Sequence, residues 1–251
     1  MINVSIIGSG NVAQHLIRAF ANSNSINIVQ VFSRHPEAVS HLLPMEKITS
    51  GYNLDPADIY IIAVTDSAIA EVSASLPFSG RLVVHTSGST QTGILDSKNR
   101  KGAFYPLQTF SKNKEVDFRS VPICIEAENE QDYLMLSNLA ETVSQHVYRL
   151  DSEQRKSLHV AAVFASNFTN HMYFIAESIC TENKIPFSIL KPLIGETADK
   201  IMTLSPVKAQ TGPAVRNDLV TIESHLSFLT DENRKKIYEL LTNSIQHAKE
   251  L

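Results

Sequence analysis

Cysteine is scarce in this chain of 251 residues: it occurs only at Cys124 and Cys180, each inside an apolar stretch. No CxxC pair or Cys/His cluster points to zinc, and the two thiols, far apart in sequence, read as free, buried and reduced. Long basic runs are missing as well. The formal charge is −4 and the sequence pI about 6.1, so nothing favours a nucleic-acid or membrane-surface partner. No stretch approaches the roughly 20 apolar residues of a membrane span. The first apolar run is broken by Asn3, Ser5 and Gly8, unlike a signal peptide, so the expected location is cytoplasmic. Internal repeats and low-complexity segments are absent too.

What is present is 43% hydrophobic and 19% charged, enough to build a sizeable core without staples. Two rhythms divide it. Over residues 1–150, short β-branched runs such as "INVSII", "INIVQVF", "ADIYIIAV" and "RLVVHT" alternate with helical periodicities such as "NVAQHLIRAFA" and "DSAIAEVSASL". Strands near 103–110 and 121–126, a helix over "ENEQDYLMLSNLAETVSQ" and a short strand at "HVYRL" extend the series. Strand and helix in alternation predict a Rossmann-type parallel sheet with helices on both faces. Over residues 151–251 no strand pattern survives. A helix of about eight turns starts after Asp151 and is followed by helices around 187–203, 214–229 and 231–248. The fold class expected is therefore α/β followed by an all-α domain.

The first strand runs into Gly8-Ser9-Gly10-Asn11-Val12-Ala13, a GxGxxA loop. In this pattern the first glycine makes the tight turn and the second lets a pyrophosphate approach the backbone. The small Ala13 lets helix and sheet pack closely. The helix N-terminus behind the loop favours phosphate. At the end of the second strand an NAD site usually carries an acid, whereas this chain has Ser33 and Arg34. Arg34 can pair with a 2′-phosphate and Ser33 can donate to it, so the expected cofactor is NADP. Ligands of open parallel sheets bind beyond the carboxyl ends of the strands. This adds Val64, Thr65, Asp66 and the segment His85-Thr86-Ser87-Gly88 as candidates. Asp66 reads as a helix N-cap or a cofactor contact, and His85 as a structural or a site histidine.

On the long helix, a step of 100° per residue brings Lys156, His159, Asn167 and Asn170 onto one stripe amid apolar neighbours. Such groups need partners: other helices, water or a ligand. Hydride reduction of a carbonyl or imine requires a proton donor, a role open to His159 or Lys156, with Asn167 orienting the substrate. Further on, "TGPAVRND" makes a turn into a helix, where Arg216 could clamp a substrate carboxylate or pair with Asp218.

The segments "VVHTSGS", "FYPLQTF", "AAVFASNFTNH", "LKPLIGET" and "TGPAVRND" together resemble an uncharacterised bacterial family of NADP oxidoreductases. It has a Rossmann-like domain and a helical domain of unknown function. It lies in the superfamily of pyrroline-5-carboxylate reductase, ketopantoate reductase and 6-phosphogluconate dehydrogenase. The resemblance implies a homodimer formed through the helical domain and a cleft that adds Ser87, Tyr105 and Gln108 as substrate contacts. Two departures stand out. The Lys/Asn pair four residues apart of β-hydroxyacid dehydrogenases is missing, because Val160 follows Lys156 and Val163 follows His159 at that spacing. Tyr105 also stands where the family often has His. The function expected is hydride transfer between NADP(H) and a small polar oxo or imino compound bearing a carboxylate; a non-enzymatic NADPH sensor is the alternative.

Overall fold

The structure, a computed structural model, describes residues 1–112 and 114–248. The early apolar runs form strands β1 (Ile2–Ile7), β2 (Ile26–Phe32), β3 (Ile48–Thr49), β4 (Ile59–Ile62) and β5 (Leu82–His85). Strands β6 (Arg100–Pro106), β7 (Ile123–Ala127) and β8 (Val147–Arg149) complete one eight-stranded sheet of order β3-β2-β1-β4-β5-β6-β7-β8. The two-residue β3 has no counterpart in the sequence pattern, being too short to show a period. Both faces of the sheet are covered, which is why its central strands are almost uninterruptedly apolar. Ile59 and Ile61 pack with Leu16, Ile17 and Phe20 on one face. Tyr60 and Ile62 pack with Ile69 and Leu76 on the other.

Six of the seven strand pairings are parallel; β6 and β7 run antiparallel, with Tyr105 opposite Cys124. The expected parallel sheet is found, with the β6–β7 pair as its one antiparallel exception. The described residues of 107–122 supply only a 3₁₀ turn at Phe118–Ser120, not the crossover helix that a parallel return requires. The order also reverses at β1, whose neighbours are β2 and β4. The crevice for a ligand therefore opens at the loop after β1.

Helix α1 (Asn11–Ala21) buries Ala13, Leu16, Ile17 and Phe20, the face expected from its periodicity. Helix α2 (Ile69–Ser75) is preceded by a 3₁₀ turn, Asp66–Ala68, with Thr65 at the N-cap position but no side-chain capping bond. Asp66 is thus one residue inside the turn and is not its N-cap. Helix α3 (Glu130–Glu141) leads into β8, and helix α4 (Ser152–Ala162) follows. A capping box fixes the start of α4: the Asp151 carboxylate accepts from Gln154 N, and the Gln154 side chain accepts from Asp151 N.

Two compact units divide between Asn167 and Phe168, so α4 packs with the sheet although the strand–helix alternation ends earlier, at Asp151. The expected long helix is helical from Ser152 to Glu182, but Val163–Phe168 winds as a π-helix before α5 (Thr169–Glu182). The second unit continues with α6 (Lys191–Lys200), the single turn α7 (Pro206–Ala209), α8 (Leu219–Phe228) and α9 (Glu232–Gln246). The helix expected from residue 214 begins only at Leu219. Residues 213–217 stay in turns, and Asp218 caps the helix by accepting from Thr221 N. Among described residues of this unit, only Cys180, Ala214, Ile222 and Thr242 are buried. Both cysteines are buried and unbonded. No helix of the described residues is long and apolar enough to cross a membrane.

Candidate cofactor and active site

The crevice beyond β1 is a cavity of about 470 Å³ lined by Gly8, Ser9, Gly10, Asn11, Val12, Ser33, Arg34, Val64 and Thr65, with Phe32, His35, Tyr52 and Thr86. Its two glycines are there for different reasons. Gly8 has φ +132°, and a Cβ on it would lie 2.2 Å from the carbonyl oxygen of Ala63, so the protein itself demands glycine. Gly10 has φ −71°, and a Cβ on it would meet nothing within 4 Å. Nothing in the protein requires glycine there; a methyl group would instead occupy space beside a ligand. Helix α1 opens behind Gly10 with no side-chain cap and no acid in its first turn, leaving amide N–H groups for phosphate. These residues fit a dinucleotide.

At the far end, the Ser33 hydroxyl accepts from His35 N (3.0 Å) and keeps its own proton to donate. Arg34 is exposed beside it. The Tyr52 ring lies flat on Phe32, with centroids 4.4 Å apart, and adds an aromatic wall that the sequence did not announce, because Tyr52 sits in an irregular loop. The Asn11 side chain also braces the site, since its amide donates to Phe110 O (3.0 Å) and ties the loop after β6 to α1. Asp66 is absent from the lining. Its carboxylate accepts from Ser89 Oγ (2.7 Å).

Thr86, at the inner end of the cavity, begins the loop after β5. Ser87, expected to face substrate, turns into its own loop. Its hydroxyl donates to Thr90 Oγ1 (2.9 Å) and accepts from the backbone N–H groups of Ser89 and Thr90, which leaves it no valence for a ligand. Gly88 is where this loop meets α4. A Cβ there would sit 2.6 Å from His159 Nδ1 and 2.8 Å from Tyr105 Cζ. His159 and Tyr105 are brought together as well: the phenol oxygen is 3.1 Å from Nδ1. Tyr105 is almost wholly buried, which pushes its pKa up to about 12, so the phenol keeps its proton throughout the neutral range.

The other candidates are dispersed. Lys156 is exposed on α4, and Asn167 is exposed within the π-helical segment. The 100° step that aligned Asn167 and Asn170 with His159 fails there, since a π turn takes more residues than an α turn. Gln108 is exposed after β6, where its side-chain oxygen accepts from Thr109 N (2.8 Å). Arg216 lies exposed in the second unit, in the turn before α8, and its charge helps to lower the Asp218 pKa after the larger effect of Thr221 hydrogen bonds.

The residue missed was Arg155. It is 1% exposed, and its guanidinium donates to the carbonyls of Ser87 and Thr90 and to the Glu126 carboxylate. An arginine beside Lys156 at a helix start reads as solvated charge, and no local pattern reveals that strand ends converge on it.

Buried His85 accepts from Ser87 N at Nδ1 (3.2 Å) and is therefore neutral. Burial, then the Arg155 charge, pushes its pKa down to about 4. The unfolded chain takes up this proton near the ordinary 6.5, so stability is full above pH 6.5 and falls as pH drops towards 4. The loss is about 2 kcal/mol by about pH 5 and about 3 kcal/mol below both values. Urea unfolding at about pH 7 and about pH 5 measures it, and His85→Asn, which keeps an acceptor, flattens the dependence.

Comparison with known proteins follows this geometry. Residues 3–88 match the family described as NADP oxidoreductase, coenzyme F420-dependent, and residues 121–245 match the domain of unknown function DUF2520. The chain is similar to BF3122 from Bacteroides fragilis, which bears the name of an NADP oxidoreductase, at 42% identity over 98% of each chain with a TM-score of 0.88. It shares its fold with TM1727 from Thermotoga maritima (21% identity, 97% and 96% of the two chains, TM-score 0.76). It also shares it with an imine reductase from Myxococcus stipitatus in complex with NADP+ (14%, 97% and 91%, TM-score 0.65). No curated protein matches the sequence.

Proposed function

The chain belongs to the NADP oxidoreductase family of the Bacteroides fragilis protein, and on that premise we propose that it reduces a small polar oxo or imino compound carrying a carboxylate. The observation that carries this reading is the Tyr105–His159 pair, held against Gly88, two residues along the chain from Thr86, which lines the cofactor cavity. NADPH, held by the glycine loop, would supply the hydride. As the substrate carbon gains it, the oxygen or nitrogen would take the Tyr105 phenolic proton; His159, as an imidazolium with its proton on Nδ1, would reprotonate the phenolate, be left neutral and regain a proton from solvent. A phenol with a pKa near 12 is a weak acid but still stronger than the alkoxide's conjugate acid, so the transfer runs downhill. Asn167, exposed in the π-helical segment, and Arg216, in the second unit, are given no part in this step. Lys156 receives no role. A panel of small oxo and imino acids incubated with NADPH tests the proposal through nicotinamide absorbance. Oxidation of NADPH by one of them supports it; tight NADPH binding with no oxidation by any overturns it.

Arg34 is assigned to the 2′-phosphate. Arg34→Asp is expected to weaken NADPH about 30-fold and to leave NADH unchanged or tighter, measured as dissociation constants. An unchanged NADPH constant refutes the assignment.

The second unit supports a homodimer. Met202, Val220 and Leu240 are 79%, 80% and 71% exposed, and so many bare apolar side chains on a unit with so few buried ones call for a second copy. Light scattering is expected to give about twice the 27.8 kDa chain mass, and a Val220→Glu/Leu240→Glu variant is expected to give one. A monomeric parent removes the proposal. The two unbonded thiols fit a cytoplasmic location.

A further inference from the structure

We infer that Arg155 is the positioning residue of the Tyr105–His159 pair, an assignment that rests on the functional reading above. Its buried guanidinium joins three pieces of chain. Nε donates to Ser87 O (3.1 Å), one terminal nitrogen donates to Thr90 O and to Ser152 Oγ (3.3 Å), and the other meets the Glu126 carboxylate on β7. Ser152 Oγ also donates to both Glu126 oxygens at 2.9 Å, so the first turn of α4 and the loop after β5 share one ionic anchor. His159 is four residues beyond Arg155, one helical turn along the same face. There it abuts Gly88, the residue directly after one of the carbonyls that Arg155 holds. Arg155 draws loop and helix together, and the Gly88–imidazole contact stops the approach. Between them they set the 3.1 Å separation of Tyr105 and His159. The guanidinium is 1% exposed and all three of its nitrogens donate within the protein, so Arg155 is a positioning residue and not a catalytic one.

Lysine keeps the charge but presents no planar fork and cannot serve two carbonyls and a carboxylate together. The test is ¹⁵N NMR of the His159 imidazole in the full chain, with Tyr105→Phe as the reference for a broken pair. Arg155→Met is expected to move the His159 signals to those of Tyr105→Phe. Arg155→Lys moves them part of the way, and Glu126→Gln moves them in the same direction. NADPH affinity, read by reduced-nicotinamide fluorescence, stays within about threefold in all of them, because Arg155 is outside the cofactor cavity. With a substrate from the panel, kcat falls about 30-fold in Arg155→Lys at unchanged KM for NADPH, as expected for misplaced reacting groups. Wild-type His159 signals in the Arg155 variants overturn the inference. If Arg155→Met does not fold, the lysine and Glu126→Gln variants decide it. Failure of the functional reading looks different: Tyr105→Phe and His159→Ala would then turn over at the parent rate.

Discussion

A Gly10→Ala variant is expected to fold as the parent does and to bind NADPH about 30- to 100-fold more weakly, a loss of about 2–3 kcal/mol. The added methyl meets no protein atom within 4 Å, and the backbone at φ −71° suits alanine, so the native state is not strained. The only thing for the methyl to obstruct is a ligand in the cavity that Gly10 lines. Gly8→Ala makes the opposite case. Its Cβ is placed 2.2 Å from a backbone oxygen of Ala63 at a residue with φ +132°, and neither neighbour can give way. That substitution is expected to cost about 3–5 kcal/mol and to lower Tm by about 10 °C. Thermal unfolding and NADPH titration of the two variants separate the roles. An alanine at position 10 that binds NADPH normally shows that no pyrophosphate passes there.

The second large effect is at Gly88. Gly88→Ala inserts a methyl 2.6 Å from His159 Nδ1 and 2.8 Å from Tyr105 Cζ. The neighbours here are ring edges of side chains, which can swing aside, so the fold survives at a cost of about 1–3 kcal/mol. What does not survive is the 3.1 Å hydrogen bond between the rings. Turnover is expected to fall about 100-fold, with NADPH affinity within about threefold. In the double variant Gly88→Ala/His159→Ala the methyl no longer meets an imidazole, and its remaining close neighbour is Tyr105 Cζ at 2.8 Å. Its rate is expected to equal that of His159→Ala alone, because both changes act through one contact. Additive losses, or normal turnover in Gly88→Ala, mean that proton delivery does not depend on this contact.

Most of the sheet was legible because its signals are local. Apolar runs of strand length, the periodic face of Asn11–Ala21 and the GxGxxA loop each show themselves within a short stretch of chain. The antiparallel β6–β7 pair was not legible, since direction depends on how residues 107–122 cross and not on the strands themselves. The π-helical turn at Val163–Phe168 was hidden for a related reason: an apolar run has the same composition in either winding, so the stripe drawn through Asn167 lost its register. At the site, the cavity collects glycine-loop residues, Ser33 and Arg34 as their strand ends require. Ser87 and Asp66 look available for ligands in the sequence, yet Ser87 hydrogen-bonds within its own loop and Asp66 is taken by Ser89.

The sequence by itself determined the class of fold and pointed to the NADP oxidoreductase family, because strand-length apolar runs and a glycine loop after a first strand act through their immediate chain neighbours. Only the tertiary structure assembled the residues proposed to deliver the proton. It set Tyr105 of β6, Gly88 of the loop after β5 and His159 of α4 in contact, and it turned Arg155 from an apparent surface charge into their anchor. Those residues come from separate stretches of the chain. What joins them is the order of strands in the sheet and the desolvation that makes a buried guanidinium take every acceptor within reach.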